Sequence, residues 1–459
     1  MAVAARRGQC RGARRAHPRP KECAAVAESG TNAGPSRRTI LTASLVGTSI
    51  EWYDYYIFGT AAALVFGTLF YPQFSPAAGT IAAFGTFAMG FIARPLGAAL
   101  FGHFGDRLGR KSMLVITLVI TGGATFCIGL LPTYGAIGLG APLLLVGLRL
   151  LQGLAVGGEW GGAVLIATEH AEPRQRAFYG SFAQFGVPIG VLTSNLAFLA
   201  VSGMPDDSFT TWGWRIPFLL SIVLIVVGIL VRARLQDTHD FAEVKQREGV
   251  SKMPFGELVR TQPRNLVLSC LASIAPPATG YMVIVYMLNY GTQAAGFSRP
   301  TLLTLILLST LVWIVAIVFA AVAADRYGAK KIYVLGALTA VIWPFPMFAL
   351  VDTGNWVAAG IAFFVAAIVQ GIMSGAQGGL FTELFDARFR YSGISIAYQM
   401  GGMIGGALTP IVATSLYAAT GSSGPLALYL TALCAVTLVT VLGLRTRTAL
   451  TAAKPAPAD

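Results

Sequence analysis

The chain predicts an all-α membrane protein of twelve transmembrane helices in two six-helix halves. Three observations predict it: a composition too apolar for a water-facing surface, twelve stretches long enough to cross a bilayer, and features that recur once at nearly constant offset. Of 459 residues, 55% are hydrophobic and 12% charged, and the mean hydropathy is +0.67. Soluble domains carry about twice that share of charge, so most residues here face lipid or other helices. The 53 glycines suit helices that pack backbone to backbone in a membrane.

Stretches of roughly 20 apolar residues fall at 40–70, 79–104, 112–131, 141–168, 178–203, 214–234, 264–291, 300–324, 330–351, 355–383, 391–417 and 424–445. The expected organisation is a basic, disordered tail (1–38), an N-terminal six-helix bundle (39–234), a cytoplasmic central loop (235–263), a C-terminal six-helix bundle (264–445) and a cytoplasmic tail (446–459). Residues 1–38 are rich in Arg, Ala and Pro and lack the apolar core of a secretory signal. With both termini placed in the cytoplasm, 29 of the 33 Lys and Arg fall on that side. Only Arg215 and Arg299 lie outside, and Arg94 and Arg149 within the membrane. This bias fixes the orientation, requires an even number of spans, and explains a net charge of +13 without nucleic acid.

The halves repeat. Gly105-Asp106-Arg107-Leu108-Gly109-Arg110-Lys111 recurs as Ala324-Asp325-Arg326-Tyr327-Gly328-Ala329-Lys330, and Glu169 with Arg176 recurs as Glu383 with Arg390. Two six-helix repeats are the organisation of a rocking-bundle transporter, whose site lies between the repeats. The short loop at 102–111 suits a latch: Asp106 can hold a helix N-terminus or a cation of the other half when that side is closed. Gly102, Asp106, Arg107, Gly109, Arg110, Glu169, Arg176, Asp325, Arg326, Glu383 and Arg390 are therefore the candidate gating residues; the cations alone would also serve as topology anchors.

An ionisable group at membrane depth costs roughly 2.5–3.5 kcal/mol or more, so each needs a reason. Glu51, Asp54, Tyr55 and Phe58 share one face of the first span, and Arg149, Gln152, Val156, Glu159 and Trp160 one face of the fourth. Arg94 precedes Pro95 in the second. A carboxylate beside an Arg ionises readily, and one left alone in low dielectric holds its proton; a carboxylate that alternates between these environments carries protons. Asp54 paired with Arg149 is the candidate proton-coupling pair, with Glu51 and Glu159 as further candidates. The competing reading is a permanent ion pair that only fixes helix packing. Arg94, Tyr55, Gln152, Trp160, Gln184, Tyr286, Asn289, Gln377, Tyr398 and Gln399 are candidate substrate-binding residues, though such polar groups often serve only to hold membrane helices together. The second half has no acid or base in mid-span, so charge work falls to the first half and neutral recognition to the second.

The loop at 102–111 resembles the G-x-x-x-D-R-x-G-R-K signature of the major facilitator superfamily, and 324–331 its degraded second copy. Glu51-Trp52-Tyr53-Asp54, Arg94-Pro95-Leu96-Gly97, Arg149-Leu150-Leu151-Gln152-Gly153, Gly157-Gly158-Glu159 and Trp214-Arg215-Ile216-Pro217-Phe218 resemble the metabolite:proton symporters. The string Gly158 to Ala163 and Tyr179-Gly180-Ser181 look most like the shikimate-permease branch. The resemblance covers about residues 40–445. It implies the major facilitator fold and alternating access driven by protons. It also implies a small organic anion as substrate, first among them a shikimate-like acid, with dicarboxylates and betaines as alternatives. Proton-coupled sugar porters pair a first-span Asp with a fourth-span Arg, and Asp54 and Arg149 look like the corresponding positions. Two departures, Gln236-Asp237-Thr238-His239 after the sixth span and Ala329 in the second loop copy, fall in gating parts.

The other function classes fit poorly. No G-x-x-x-x-G-K-[ST] loop cradles a nucleotide, and His17, His103, His170 and His239 lie in loops or at helix ends, where no pair can ligate haem or metal in the bilayer. The five cysteines have no paired spacing. The expectation is therefore a non-enzymatic, multi-pass protein of a bacterial-type inner (plasma) membrane. It has no cofactor beyond protons as coupling ion and no nucleic-acid partner, and it works as a monomer. An uncoupled uniporter and a transporter-like receptor are the remaining alternatives.

Overall fold

The computed structural model describes residues 37–108, 110–156, 175–233, 254–385 and 390–444. Twelve helical segments follow the apolar stretches in order. α1 runs Arg37–Ala61 and continues through a π turn (Ala62–Phe66) into Gly67–Phe70. α2 is Pro76–Leu108, α3 Arg110–Leu130, α4 Gly140–Val156 and α5 Arg176–Ser202. α6 comprises Arg215–Leu219 and Ser221–Ala233. α7 runs Pro263–Ala272 and Ala275–Tyr281, then a π turn (Met282–Tyr286) and Met287–Gln293. α8 is Arg299–Tyr327, α9 Ala329–Ile342 with Pro344–Val351, and α10 Trp356–Thr382. α11 runs Arg390–Gly401, a π turn (Gly402–Ala407) and Leu408–Thr420, and α12 is Gly424–Gly443.

Among the described residues eight of these are long and apolar enough to span a bilayer, and α9, bent by 46°, makes a ninth. α3 and α4 add shorter apolar helices, Val115–Leu130 and Gly140–Val156. α1, with Glu51 and Asp54 in its interior, completes the twelve. Lipid-facing side chains such as Leu143, Phe319, Val439 and Leu442 are exposed, whereas polar ones such as Arg149, Gln152 and Asn195 are buried. That is the reverse of a water-soluble surface.

Local chemistry sets the boundaries. Ser298 caps α8 by accepting from the Thr301 N–H at 3.3 Å, and Asn355 caps α10 through the Val357 N–H at 2.8 Å, each satisfying an orphan donor. The α9 bend falls before Pro344, which removes a helical hydrogen bond. Gly328 ends α8 at φ +99°, a conformation that only glycine adopts without strain. The π turns at 62–66 and 282–286 lie 220 residues apart, so the repeat seen in the loops extends to backbone geometry.

Small residues decide how closely helices pack. A Cβ on Gly153 of α4 would lie 2.2 Å from the Gly90 carbonyl oxygen of α2, and one on Gly97 would lie 1.9 Å from that of Leu154. α2 and α4 therefore meet backbone on backbone. α8 and α10 do the same, where a Gly375 Cβ would lie 2.6 Å from the Ile317 oxygen. Between halves, α5 packs on α8 and α2 on α11.

Gly153→Val should therefore cost at least about 1–3 kcal/mol of overpacking, seen as a lower melting temperature and a poor yield of monodisperse protein in detergent. Gly147→Ala, where an added Cβ meets nothing within 4 Å, should stay within about 0.5 kcal/mol of wild type.

Candidate functional site

The backbone contact between α2 and α4 brings two cations into the core. Gly90 leaves the room: a Cβ there would lie 2.7 Å from Arg149 Nε and 2.9 Å from the Tyr55 hydroxyl. Arg149 has no exposed surface and Arg94 is 2% exposed. Both guanidiniums lie over the Tyr55 ring, Arg149 at 3.9 Å and Arg94 at 4.1 Å from its centre. Arg149 also faces Phe58 and Phe87, and Arg94 faces Phe91 and Trp52. Desolvated cation–π contacts of this kind contribute about 2 kcal/mol each, which offsets part of the cost of burying the charge. Arg149 donates to the Phe87 carbonyl (3.3 Å) and to Gln152 Oε1 (3.1 Å), and Gln152 donates onward to Thr125 (2.7 Å). Arg94 reaches across to α11 and donates to Gln399 Oε1 at 3.3 Å.

The expected Asp54–Arg149 ion pair is not closed in this structure. Asp54 is 1% exposed. Neither of its carboxyl oxygens, nor Arg149 Nη2, has a hydrogen-bond partner among the described residues. The Arg149 guanidinium is instead turned onto the Tyr55 ring, with Nε and Nη1 engaged by Phe87 and Gln152 and Nη2 left over. Glu51, one helical turn away, is half-buried and lines two cavities of about 10 Å³ each: one shared with Asp54, Thr117 and Thr121, the other with Arg94, Tyr398 and Gln399. Small cavities thus flank Glu51 on the way from Asp54 to Arg94.

A third cavity, of about 40 Å³, lies between the halves. Arg94, Trp52, Tyr56 and Phe91 face it from the first half with Gln184 of α5; Ser273, Tyr281, Trp313, Gln370, Gln377 and Tyr398 face it from the second. Tyr56 and Tyr281 stack across it with centroids 5.5 Å apart, and Gln184 donates to Gln377 at 2.8 Å. Five buried polar atoms of its lining residues, Arg94 Nε, Ser273 Oγ, Tyr281 Oη, Trp313 Nε1 and Gln377 Nε2, hydrogen-bond to no described residue. Its volume holds a few waters and no ring-sized molecule, so this conformation is closed around its centre.

Residues 44–410 match the Major Facilitator Superfamily. The chain belongs to that superfamily. It is 40% identical over 415 residues to an inner membrane metabolite transport protein of Escherichia coli (YhjE), covering 89% of this chain and 94% of that one. It is 39% identical over 422 residues to the shikimate transporter of Escherichia coli, covering 90% and 96%. Among solved structures it is similar to the inward-open xylose transporter XylE of Escherichia coli, with a TM-score of 0.68 at 18% identity over 90% of this chain and 98% of that one. The chain is therefore a major facilitator transporter with the twelve-helix fold expected from its sequence.

In this facilitator contacts among the described residues join the two halves at both ends of the interface. At the end where α1 begins, Asp325 at the foot of α8 accepts from the Ala177 and Phe178 N–H groups at the N-terminus of α5, at 2.8 and 3.0 Å, a site made for an anion. Within the second half, Lys330 donates to the Leu442 and Leu444 carbonyls at the C-terminus of α12, where a cation is favoured. Gly378 and Gly180 let α10 and α5 approach there, a Gly378 Cβ falling 3.1 Å from the Gly180 oxygen. At the opposite end Asn289 donates to the Ala63 carbonyl in the α1 π turn at 3.3 Å. There Arg299 pairs with Asp206 at 2.9 Å and lies over Phe209.

Of the substrate-binding candidates, Arg94, Gln184, Gln377 and Tyr398 line the central cavity, and Gln399 lines the smaller one beside it. Tyr55 and Gln152 instead hold the arginines. Tyr286 and Asn289 do not line the cavity; they bond the Ala413 and Ala63 carbonyls. The π turn Met282–Tyr286 inserts a residue into the helical repeat, so positions at its end and beyond leave the face of Gly280 and Tyr281. Glu159, Trp160, Glu169 and Gly109 lie outside the described residues, as do the side chains of Asp106, Arg107, Arg110, Arg176 and Arg390; Gly102 falls within α2. Arg326 is exposed over Tyr327, and Glu383 caps the end of α10 half-buried. Sequence reasoning missed Trp52, Tyr56, Phe91, Ser273, Tyr281 and Trp313. Aromatic residues in an apolar span give no signal of their own, although Trp52 and Tyr56 each stand two places from Asp54.

Asp325→Ala should remove two charge-assisted bonds, each about 1.5–3 kcal/mol, and open the α1-start end. Increased labelling of a cysteine placed at Ala177 would report it. Arg299→Ala, breaking a pair whose Asp206 side chain is 86% exposed, should change stability by less than about 1 kcal/mol in a thermal melt.

Proposed function

We propose that this facilitator is a proton-coupled symporter that imports a small organic anion, with a shikimate-like hydroxylated acid as the first candidate. The observation that carries the reading is the cavity between the halves, into which a buried arginine presents an unused N–H and whose described lining contains no acid. Such a site favours a carboxylate. The likeness to the Escherichia coli shikimate transporter supports the choice of acid.

Electroneutrality supplies the coupling. Without substrate, Arg94 and Arg149 balance Glu51 and Asp54. A substrate carboxylate at Arg94 adds a third negative charge to a low-dielectric core, and uptake of a proton by Asp54 restores the balance. A charge left uncompensated here costs several kcal/mol, so anion and proton bind together or not at all. Release on the far side of the interface lets Asp54 ionise and return toward Arg149. Residues 39–234 and 264–445 act as the two bodies that rock about this centre. The charge bias supports placing the α1-start end, and both termini, in the cytoplasm of an inner membrane, and a single chain is sufficient for the cycle.

Labelled shikimate should accumulate in cells that express the protein and should cease to do so with a protonophore. Uptake indifferent to the protonophore would replace symport with uniport, and no uptake by well-expressed protein would discard this acid. Asp54→Asn should keep exchange of substrate across the membrane and lose uphill accumulation by at least about tenfold, the effect of about 1.4 kcal/mol. Concentrative uptake unchanged in that variant would remove Asp54 from the coupling.

A further inference from the structure

The second half contributes one obligate donor to the cavity, the indole N–H of Trp313, in an α8 whose neighbouring positions Leu311 and Val315 face outward. Trp313 is 4% exposed, lines the cavity, and its Nε1 hydrogen-bonds to no described residue. An indole nitrogen can only donate, and a buried donor without an acceptor is destabilising. Trp343 shows the ordinary solution in this same half, donating to the Ala362 carbonyl at 3.2 Å. Trp214 also lacks a partner, but it lies in an aromatic cluster with Phe66, Phe70 and Phe218, apart from the cavity. The Ser273 hydroxyl belongs to a residue lining the same cavity and is equally unbonded among the described residues. It sits at the break in α7, where Gly401 of α11 packs so tightly that a Cβ would lie 2.3 Å from that of Ser273. The unused donors therefore occupy both walls: Arg94 Nε in the first half, Trp313 Nε1 with the Ser273 hydroxyl in the second.

We propose that the Trp313 indole N–H is a specificity determinant of the transported anion, donating to a hydroxyl or carbonyl oxygen on the part of the substrate remote from the carboxylate held by Arg94. Ser273 completes that contact. The assignment rests on the reading of the cavity as the transport site and deepens it. The substrate class becomes a carboxylate with a second oxygen acceptor across the ring or chain, so that one molecule bridges both halves. A bridging ligand also has a reason to draw the halves together, because each half alone satisfies only one end of it.

The test compares uptake of shikimate with uptake of cyclohex-1-enecarboxylate, the same ring acid without hydroxyls, in wild type and in Trp313→Phe, which keeps the ring and removes the N–H. Losing one hydrogen bond should raise KM for shikimate about tenfold and leave KM for the deoxy acid within about twofold. The deoxy acid thereby reports that the variant is folded and inserted. Ser273→Ala should move the same ratio in the same direction by a smaller factor. Equal changes for both acids in Trp313→Phe, or no change for either, would overturn the assignment while leaving the transport reading intact. Wild-type protein that takes up neither acid would overturn the reading of the cavity and this assignment with it.

Discussion

Two buried guanidiniums sharing one tyrosine ring are the constraint on which the rest of this structure depends. Cations at membrane depth are expensive, and here Arg94 and Arg149 are held by the face of Tyr55, by the Phe87 carbonyl, and by Gln152 and Gln399. Each support makes a demand on sequence. Gly90, Gly97 and Gly153 must lack side chains for α2 and α4 to approach. Tyr55 must stand one residue from Asp54, and α11 must bring Gln399 from the other half. Arg94 is thus tied to both halves, and whatever binds it acts on their relative position.

The closed interface is built from contacts that are individually modest. Asp325 holds backbone amides of α5, Asn289 holds a carbonyl that the π turn of α1 makes accessible, and the Arg299–Asp206 pair is largely exposed. None buries a permanent charge pair, whose rupture would cost several kcal/mol. A transporter that must open each side in turn needs ends separable at the cost of a few kcal/mol. The loop copy that looked degraded carries the anchoring acid: loss of its second Arg to Ala329 leaves both Asp325 and Lys330 with helix termini to hold.

The core also separates its tasks. The carboxyls sit on α1, on the side of Arg149, and the neutral donors gather on α7, α8 and α10 around the central cavity. Glu51 lies between, lining both small cavities. In the proposed symport, protons and organic oxygens thus meet different residues and are linked through the charge balance around the arginines.

Much of this was legible in the residue string. Hydropathy and Lys/Arg placement gave the number and order of spans, because a bilayer imposes one length and one charge bias on any chain. The repeat of the Asp106 and Asp325 loops gave the pseudo-symmetry, and the cost of membrane charge singled out Glu51, Asp54, Arg94 and Arg149. Tertiary structure alone decided which groups meet: Asp54 stands apart from Arg149, Tyr286 at the end of a π turn and Asn289 beyond it turn away from the cavity, and Trp313 lines it. Helical periodicity assumes 3.6 residues per turn and cannot register an inserted residue. Nor can a sequence reveal which of an arginine's five donors its neighbours have already taken, because that depends on side chains brought together from helices distant in the chain.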